Sequence, residues 1–109
     1  MGEFVRVARR SEIADQSGKL VEIGDRRIAL FNLGNEFYAI DDTCPHAGGP
    51  LCEGAIQGEE IECPWHGSRF NIKTGEVTAP PAGENVSRCN VRVTGDDIEI
   101  EVEEDSTAS

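Results

Sequence analysis

The 109-residue sequence predicts an all-β fold in a single domain. Three observations carry that expectation. Apolar residues alternate with polar ones in short Val- and Ile-rich runs, the period of a half-buried strand. The 12 Gly and 5 Pro punctuate those runs as turns. The length suits one modest core and leaves no room for a separate catalytic domain. Helix is expected to be scarce.

Taken in order, Glu3 to Ala8 reads as the first strand, with Phe4 or Val5 and Val7 as its apolar contributors. Ser11 to Asp15 is a polar turn or a single helical turn. Lys19 to Ile23 and Arg26 to Asn32 flank the turn Gly24-Asp25 as a hairpin, with Ile28 and Leu30 on one face. Gly34-Asn35 turns the chain into Glu36 to Ile40, where Phe37 and Ala39 alternate with Tyr38 and Ile40, completing a three-stranded meander. Residues 43 to 54, TCPHAGGPLCEG, carry Pro45, Gly48, Gly49 and Pro50 and form a tightly turning loop.

Ala55-Ile56 and Glu60 to Glu62 make a brief hairpin that leads into a second breaker-rich segment, CPWHGS at 63 to 68. Phe70 and Ile72 start another strand, Lys73-Thr74-Gly75 turns it, and Val77 continues. Ala79-Pro80-Pro81-Ala82-Gly83 reads as a rigid crossing, because neither Pro can donate to a ladder. Cys89, Val91 and Val93 then alternate with Arg88, Asn90 and Arg92 as one strand, and Gly95-Asp96 joins it to a last strand built on Ile98, Ile100 and Val102.

Ten basic residues against 21 acidic ones give a formal charge of -11. That charge repels nucleic acid phosphates and anionic membranes, so neither is an expected partner and any charged partner surface should be basic. The plainer reading is that acidity keeps the domain soluble. No run approaches the roughly 18 apolar residues of a membrane span, and MGEFVRVARR lacks the apolar stretch of a secretory signal. A cytoplasmic protein with reduced thiols is expected.

Both His of the chain and two of its four Cys fall in the two breaker-rich loops, as Cys44-x-His46 and Cys63-x-x-His66. Each loop opens Cys-Pro and reaches a His one or two residues later, so two similar fingers are expected to close on one site. Thiolate with neutral imidazole suits a two-iron cluster, which takes two protein ligands per iron. A single zinc on the same side chains is an alternative, although structural zinc sites place about two to four residues between paired Cys and about three to five between paired His. A thiol nucleophile would need a distant His and an orienting Asn or Asp. Cys89, in phase with Val91 and Val93, reads as a small buried hydrophobe. Cys52, just past the first loop, reads as packing beneath it, with a spare ligand or a disulfide partner as the other possibilities.

At these residues a resemblance becomes plain: TCPHAGGPL and CPWHGSRFNIKTGEV resemble the two cluster-binding loops of Rieske proteins, C-x-H, sixteen residues, then C-x-x-H. The similarity extends over residues 3 to 103, including Thr74-Gly75 and the Pro80-Pro81 stretch, which is similar to the proline loop that covers the cluster in this family. It implies a Rieske-like antiparallel β-sandwich with a small cluster-binding subdomain formed by two loops. The domain would span residues 1–103, the subdomain 42–82, and an acidic polar tail 104–109. It also implies one 2Fe-2S cluster per chain, with Cys44 and Cys63 on an inner iron and His46 and His66 on an outer iron near the surface. Gly48, Gly49 and Gly67 would let backbone N–H groups approach the sulfides. Ser68 would offer a hydroxyl to a bridging sulfide, Pro80 would belong to the covering loop, and Trp65 would shield one flank while staying partly exposed.

Departures from high-potential relatives set the expected potential. Those proteins join the loops by a disulfide at the positions filled here by Gly49 and Trp65, and Phe70 stands where they carry a Tyr whose hydroxyl reaches a ligand thiolate. Two ferric irons, two sulfides and two thiolates sum to zero charge, so one added electron costs less than at an all-thiolate site. Fewer donors stabilise that added charge less, which places the potential at the low end of the roughly -150 to +300 mV range of His-ligated centres.

The resemblance implies a soluble, monomeric one-electron carrier without bond-making chemistry, passing electrons from a flavin reductase to a terminal oxygenase of an aromatic-ring dioxygenase-type system. The absence of a nucleotide-binding glycine motif agrees with an indirect route from NADH. Two alternatives are a small Rieske subunit of a larger reductase, resembling the NAD(P)H nitrite reductase small subunit, and a redox-sensing or structural module.

Overall fold

A computed structural model describes residues 2–24, 26–43, 49–65, 67–79 and 83–103. In chain order the strands are β1 (Gly2–Arg9), β2 (Ser17–Ile23), β3 (Arg26–Leu33), β4 (Glu36–Asp41), β5 (Ala55–Gln57) and β6 (Glu60–Glu62). They continue with β7 (Arg69–Asn71), β8 (Val77–Ala79), β9 (Arg88–Cys89), β10 (Val91–Thr94) and β11 (Asp97–Glu103). Single 3-10 turns at Arg10–Glu12 and Leu51–Glu53 are the helical elements among the described residues. The all-β expectation holds, and every strand pairing is antiparallel.

The strands form three sheets, ordered β1-β11-β10, β2-β3-β4-β9 and β5-β6-β7-β8. The meander β2-β3-β4 forms as the turn residues require. Gly34 and Asn35 both take positive φ, +64° and +75°, the twist that a two-residue hairpin loop needs. Buried Asn32 ties this hairpin to the preceding loop: its amide donates to the Ile13 carbonyl at 2.9 Å and accepts from the Asn35 N–H at 2.8 Å.

The second sheet lies between two cores. On one face Ile28, Leu30, Phe37 and Ala39 pack with Ile98 and Ile100, closing a sandwich with the first sheet. On the other, Ala29, Phe31, Leu33 and Ile40 pack with Leu51, Ile61, Cys63, Phe70 and Ile72, which fastens the small third sheet to the base. Strand β3 is therefore buried on both faces. The run Ile28-Ala29-Leu30-Phe31 has the continuous apolar character that two-sided burial demands.

One expected strand divides. Residues 88 to 93 do not run as one element: β9 pairs with β4 in the second sheet, while β10 pairs with β11 in the first. The break falls at Asn90, whose amide donates to Glu101 at 2.7 Å while its carbonyl accepts the Glu101 N–H at 2.9 Å. Cys89 at this junction is half-buried rather than fully packed, and its sulfur accepts a hydrogen bond from Arg26 Nη2 at 3.5 Å. Val93 is exposed. Pro80, Pro81 and Ala82 of the expected crossing, and the acidic tail 104–109, lie outside the described residues.

Candidate metal centre

The two breaker-rich loops hang from defined strand ends. The first, at residues 43–50, leaves β4 and re-enters the fold at the Leu51–Glu53 turn. The second, 63–68, connects β6 to β7. Cys63 opens the second loop and is 1% exposed, within the same apolar cluster as Phe70 and Leu51. Its N–H donates to the Ser68 carbonyl at 2.7 Å, and its own carbonyl accepts the Gly67 N–H at 3.0 Å. Closing so short a loop puts Gly67 at φ +82°, a conformation that side chains resist. Ser68 is fully buried beside this closure, and Phe70 below it is fully buried too. Trp65, at the tip, is 59% exposed.

The first loop is closed at its base by Asp42, a carboxylate only 1% exposed. The Cys52 N–H donates to Asp42 Oδ1 at 2.8 Å, the Leu51 N–H donates to the Asp42 carbonyl at 2.6 Å, and Asp42 donates its own N–H to the Arg27 carbonyl at 3.0 Å. A bridge between Thr43 and Pro50 continues the closure. Burial pushes the Cys52 thiol up to about 12, with its hydrogen bond to Asp42 acting in the same direction. Cys52 forms no disulfide and packs against the apolar cluster below the first loop. Sequence reasoning missed Asp42. Its position directly before the loop is a weak signal, but its bond to a residue ten positions away is invisible without the fold.

The returning arm of the first loop meets the second loop at Gly49. A Cβ placed there would stand 2.8 Å from Cys63 Sγ and 3.0 and 3.1 Å from Trp65 Cγ and Cδ2. Only a glycine backbone fits beside that sulfur. Among the described residues no three His, Cys, Asp or Glu side chains converge as a metal site. Of the expected ligands, Cys44, His46 and His66 lie outside the described residues, as do Gly48 and Pro80, while Cys63, Gly49, Trp65, Gly67, Ser68 and Phe70 lie within them.

Cys63 fits a soft metal centre on its own evidence. It is an unbridged thiol, buried in a turn whose backbone fixes its direction, and faced by the bare backbone of a second loop. A buried, unbridged sulfur held between two loops over an apolar floor has the surroundings that a thiolate ligand of a soft metal requires. Comparison with known proteins agrees: the chain belongs to the Rieske [2Fe-2S] domain family, whose model matches residues 3–102. Its cofactor is one 2Fe-2S cluster.

Among curated relatives, the 3-phenylpropionate/cinnamic acid dioxygenase ferredoxin subunit of Shigella flexneri serotype 5b (strain 8401) is 44% identical over 78 residues, covering 71% of this chain and 74% of that protein. The ferredoxin of carbazole 1,9a-dioxygenase from Nocardioides aromaticivorans IC177 superposes with a TM-score of 0.85 at 32% identity, covering 89% of this chain and 95% of that one. A chain in the complex of reduced oxygenase and oxidized ferredoxin in carbazole 1,9a-dioxygenase gives 0.84 at 31%, covering 89% and 91%. A chain described as a putative NADH-dependent nitrite reductase small subunit from Mycobacterium tuberculosis gives 0.85 at 19%, covering 95% and 98%, a likeness of fold alone.

Proposed function

We propose that this chain is a one-electron carrier that takes electrons from a flavin reductase and delivers them to a terminal oxygenase of an aromatic-ring dioxygenase-type system. The observation that carries this reading is the 44% identity to a dioxygenase ferredoxin subunit across most of both chains. When bound, the cluster supplies a site that takes up and returns a single electron. Cys44 and Cys63 would hold its buried side, and His46 and His66 its outer side, within a subdomain of residues 42–82. Cys63 keeps its sulfur out of water, and the backbone closure from Ser68 and Gly67 fixes its direction, so little reorganises when charge arrives.

The chain itself makes and breaks no substrate bonds on this reading. It acts as a cytoplasmic monomer that docks transiently, with its net charge of -11 favouring a basic partner surface. No helix among the described residues is long and apolar enough to cross a membrane. The reductase-subunit alternative has only a likeness of fold behind it.

Metal and acid-labile sulfide analysis combined with a coulometric titration tests the proposal. It predicts two irons, two sulfides and one electron per chain. Zinc in place of iron, or an uptake of two electrons, would overturn it. Turnover of a 3-phenylpropionate dioxygenase system lacking its own ferredoxin should resume when this chain is added to the reductase and oxygenase. Stable co-elution with a nitrite reductase large subunit would favour the alternative instead.

A further inference from the structure

Trp65 sits where an ordinary surface residue would serve. It is the largest exposed apolar side chain among the described residues, yet the root of its ring is packed. Cγ and Cδ2 are the ring atoms nearest to Gly49, and the residue as a whole is 59% exposed. A Cβ at Gly49 would lie 3.0 Å from Trp65 Cγ, and the Gly49 Cα stands one C–C bond, about 1.5 Å, behind that point, so backbone and ring are no more than about 4.5 Å apart, within the reach of apolar contact.

This contact joins the returning arm of the first loop to the second loop. Each loop has its own closure: the Thr43–Pro50 bridge with Asp42 for the first, and the Cys63–Ser68 and Cys63–Gly67 hydrogen bonds for the second. Those closures fix each loop to its own base and not to the other loop. Gly49 immediately precedes the bridged Pro50, Trp65 lies at the tip of the second loop, and neither residue can form a covalent link. We propose that Trp65 is a positioning residue, clamping the returning arm of the first loop onto the second through Gly49 and so holding the two halves of the ligand set in register.

The inference rests on the cluster reading above and deepens it. An aromatic face suits the task because dispersion over a flat ring fixes separation without needing a partner group of defined polarity. A ring at this position without the indole nitrogen should do nearly as well. A small side chain should not.

Holoprotein carrying Trp65→Ala, Trp65→Phe or Gly49→Ala is compared with the parent in two measurements: the rate at which an iron chelator bleaches the visible absorption, and the EPR line shape after reduction. Trp65→Ala is expected to lose iron about 5- to 30-fold faster, with broadened EPR lines, and Trp65→Phe to stay within about twofold of the parent. Gly49→Ala should behave like Trp65→Ala. It should also make the emission of Trp65, the single tryptophan of the chain, more accessible to acrylamide quenching. Bleaching and line shape of Trp65→Ala equal to the parent would overturn the clamp, as would a Phe variant as labile as the Ala variant. Slower reduction of the oxygenase with unchanged bleaching would make Trp65 a docking residue only, and would overturn it too. A parent protein with no EPR signal on reduction would instead refute the cluster itself, so the two failures are distinct.

Discussion

At the scale of single residues, the site divides into what a motif can announce and what only folding creates. Cys63 was legible because its spacing from Pro64 and His66 repeats that of Cys44, Pro45 and His46 with one insertion. Asp42 was not, since its worth depends on the Cys52 N–H that the loop returns to it at 2.8 Å. Asp42→Ala should destabilise the protein by about 1–3 kcal/mol in urea titrations, the cost of a partly buried donor left unpaired. Asp42→Asn, which keeps an acceptor oxygen, should lose less. Cys52 gives a pH dependence of known sign. Its thiol rises from 9.0 unfolded to about 12 folded, so between those values the unfolded chain has released a proton that the folded chain retains. The stabilisation is complete below pH 9 and is lost as pH rises toward 12. Cys89, also pushed up by burial, acts in the same direction. The urea midpoint should therefore fall between pH 8.5 and pH 11, and Cys52→Ser should flatten that fall. An equally steep fall in the Ser variant would contradict the assignment.

At the scale of elements, alternation identified the strands, but one-sided alternation hid the most buried of them. The pattern places Ile28 and Leu30 on one face; in the structure Ala29 and Phe31 on the other face are buried as well, in the core that holds Leu51, Cys63 and Phe70. The four-residue apolar run was the available signal. Phe31→Ala should cost about 3–5 kcal/mol, because the ring is fully buried and Leu51, Ile61 and Phe70 lie in the same cluster. Calorimetry would check this, and a loss below about 1 kcal/mol would argue against a core shared by base and cluster loops. The division of residues 88 to 93 between two sheets was illegible for a related reason. Alternating Cys89, Val91 and Val93 satisfy a single strand equally well, and only the exchange of hydrogen bonds between Asn90 and Glu101 marks the switch.

At the scale of the whole molecule, one loop from the sandwich base and one from the small sheet bring Gly49, Cys63 and Trp65 to one place. The absence of a hydroxyl at Phe70, buried with Cys63, leaves the reduced charge with one donor fewer, so the reduction potential should lie at the low end of the roughly -150 to +300 mV range. A titration midpoint above about +200 mV would contradict that. The central claim, a cluster held by Cys44, His46, Cys63 and His66, is tested most directly by nitrogen couplings in the pulsed EPR spectrum of the reduced protein. Two imidazole nitrogens should couple to the unpaired electron, and His46→Cys and His66→Cys should each remove one. A parent spectrum without nitrogen coupling from both imidazoles would contradict the assignment.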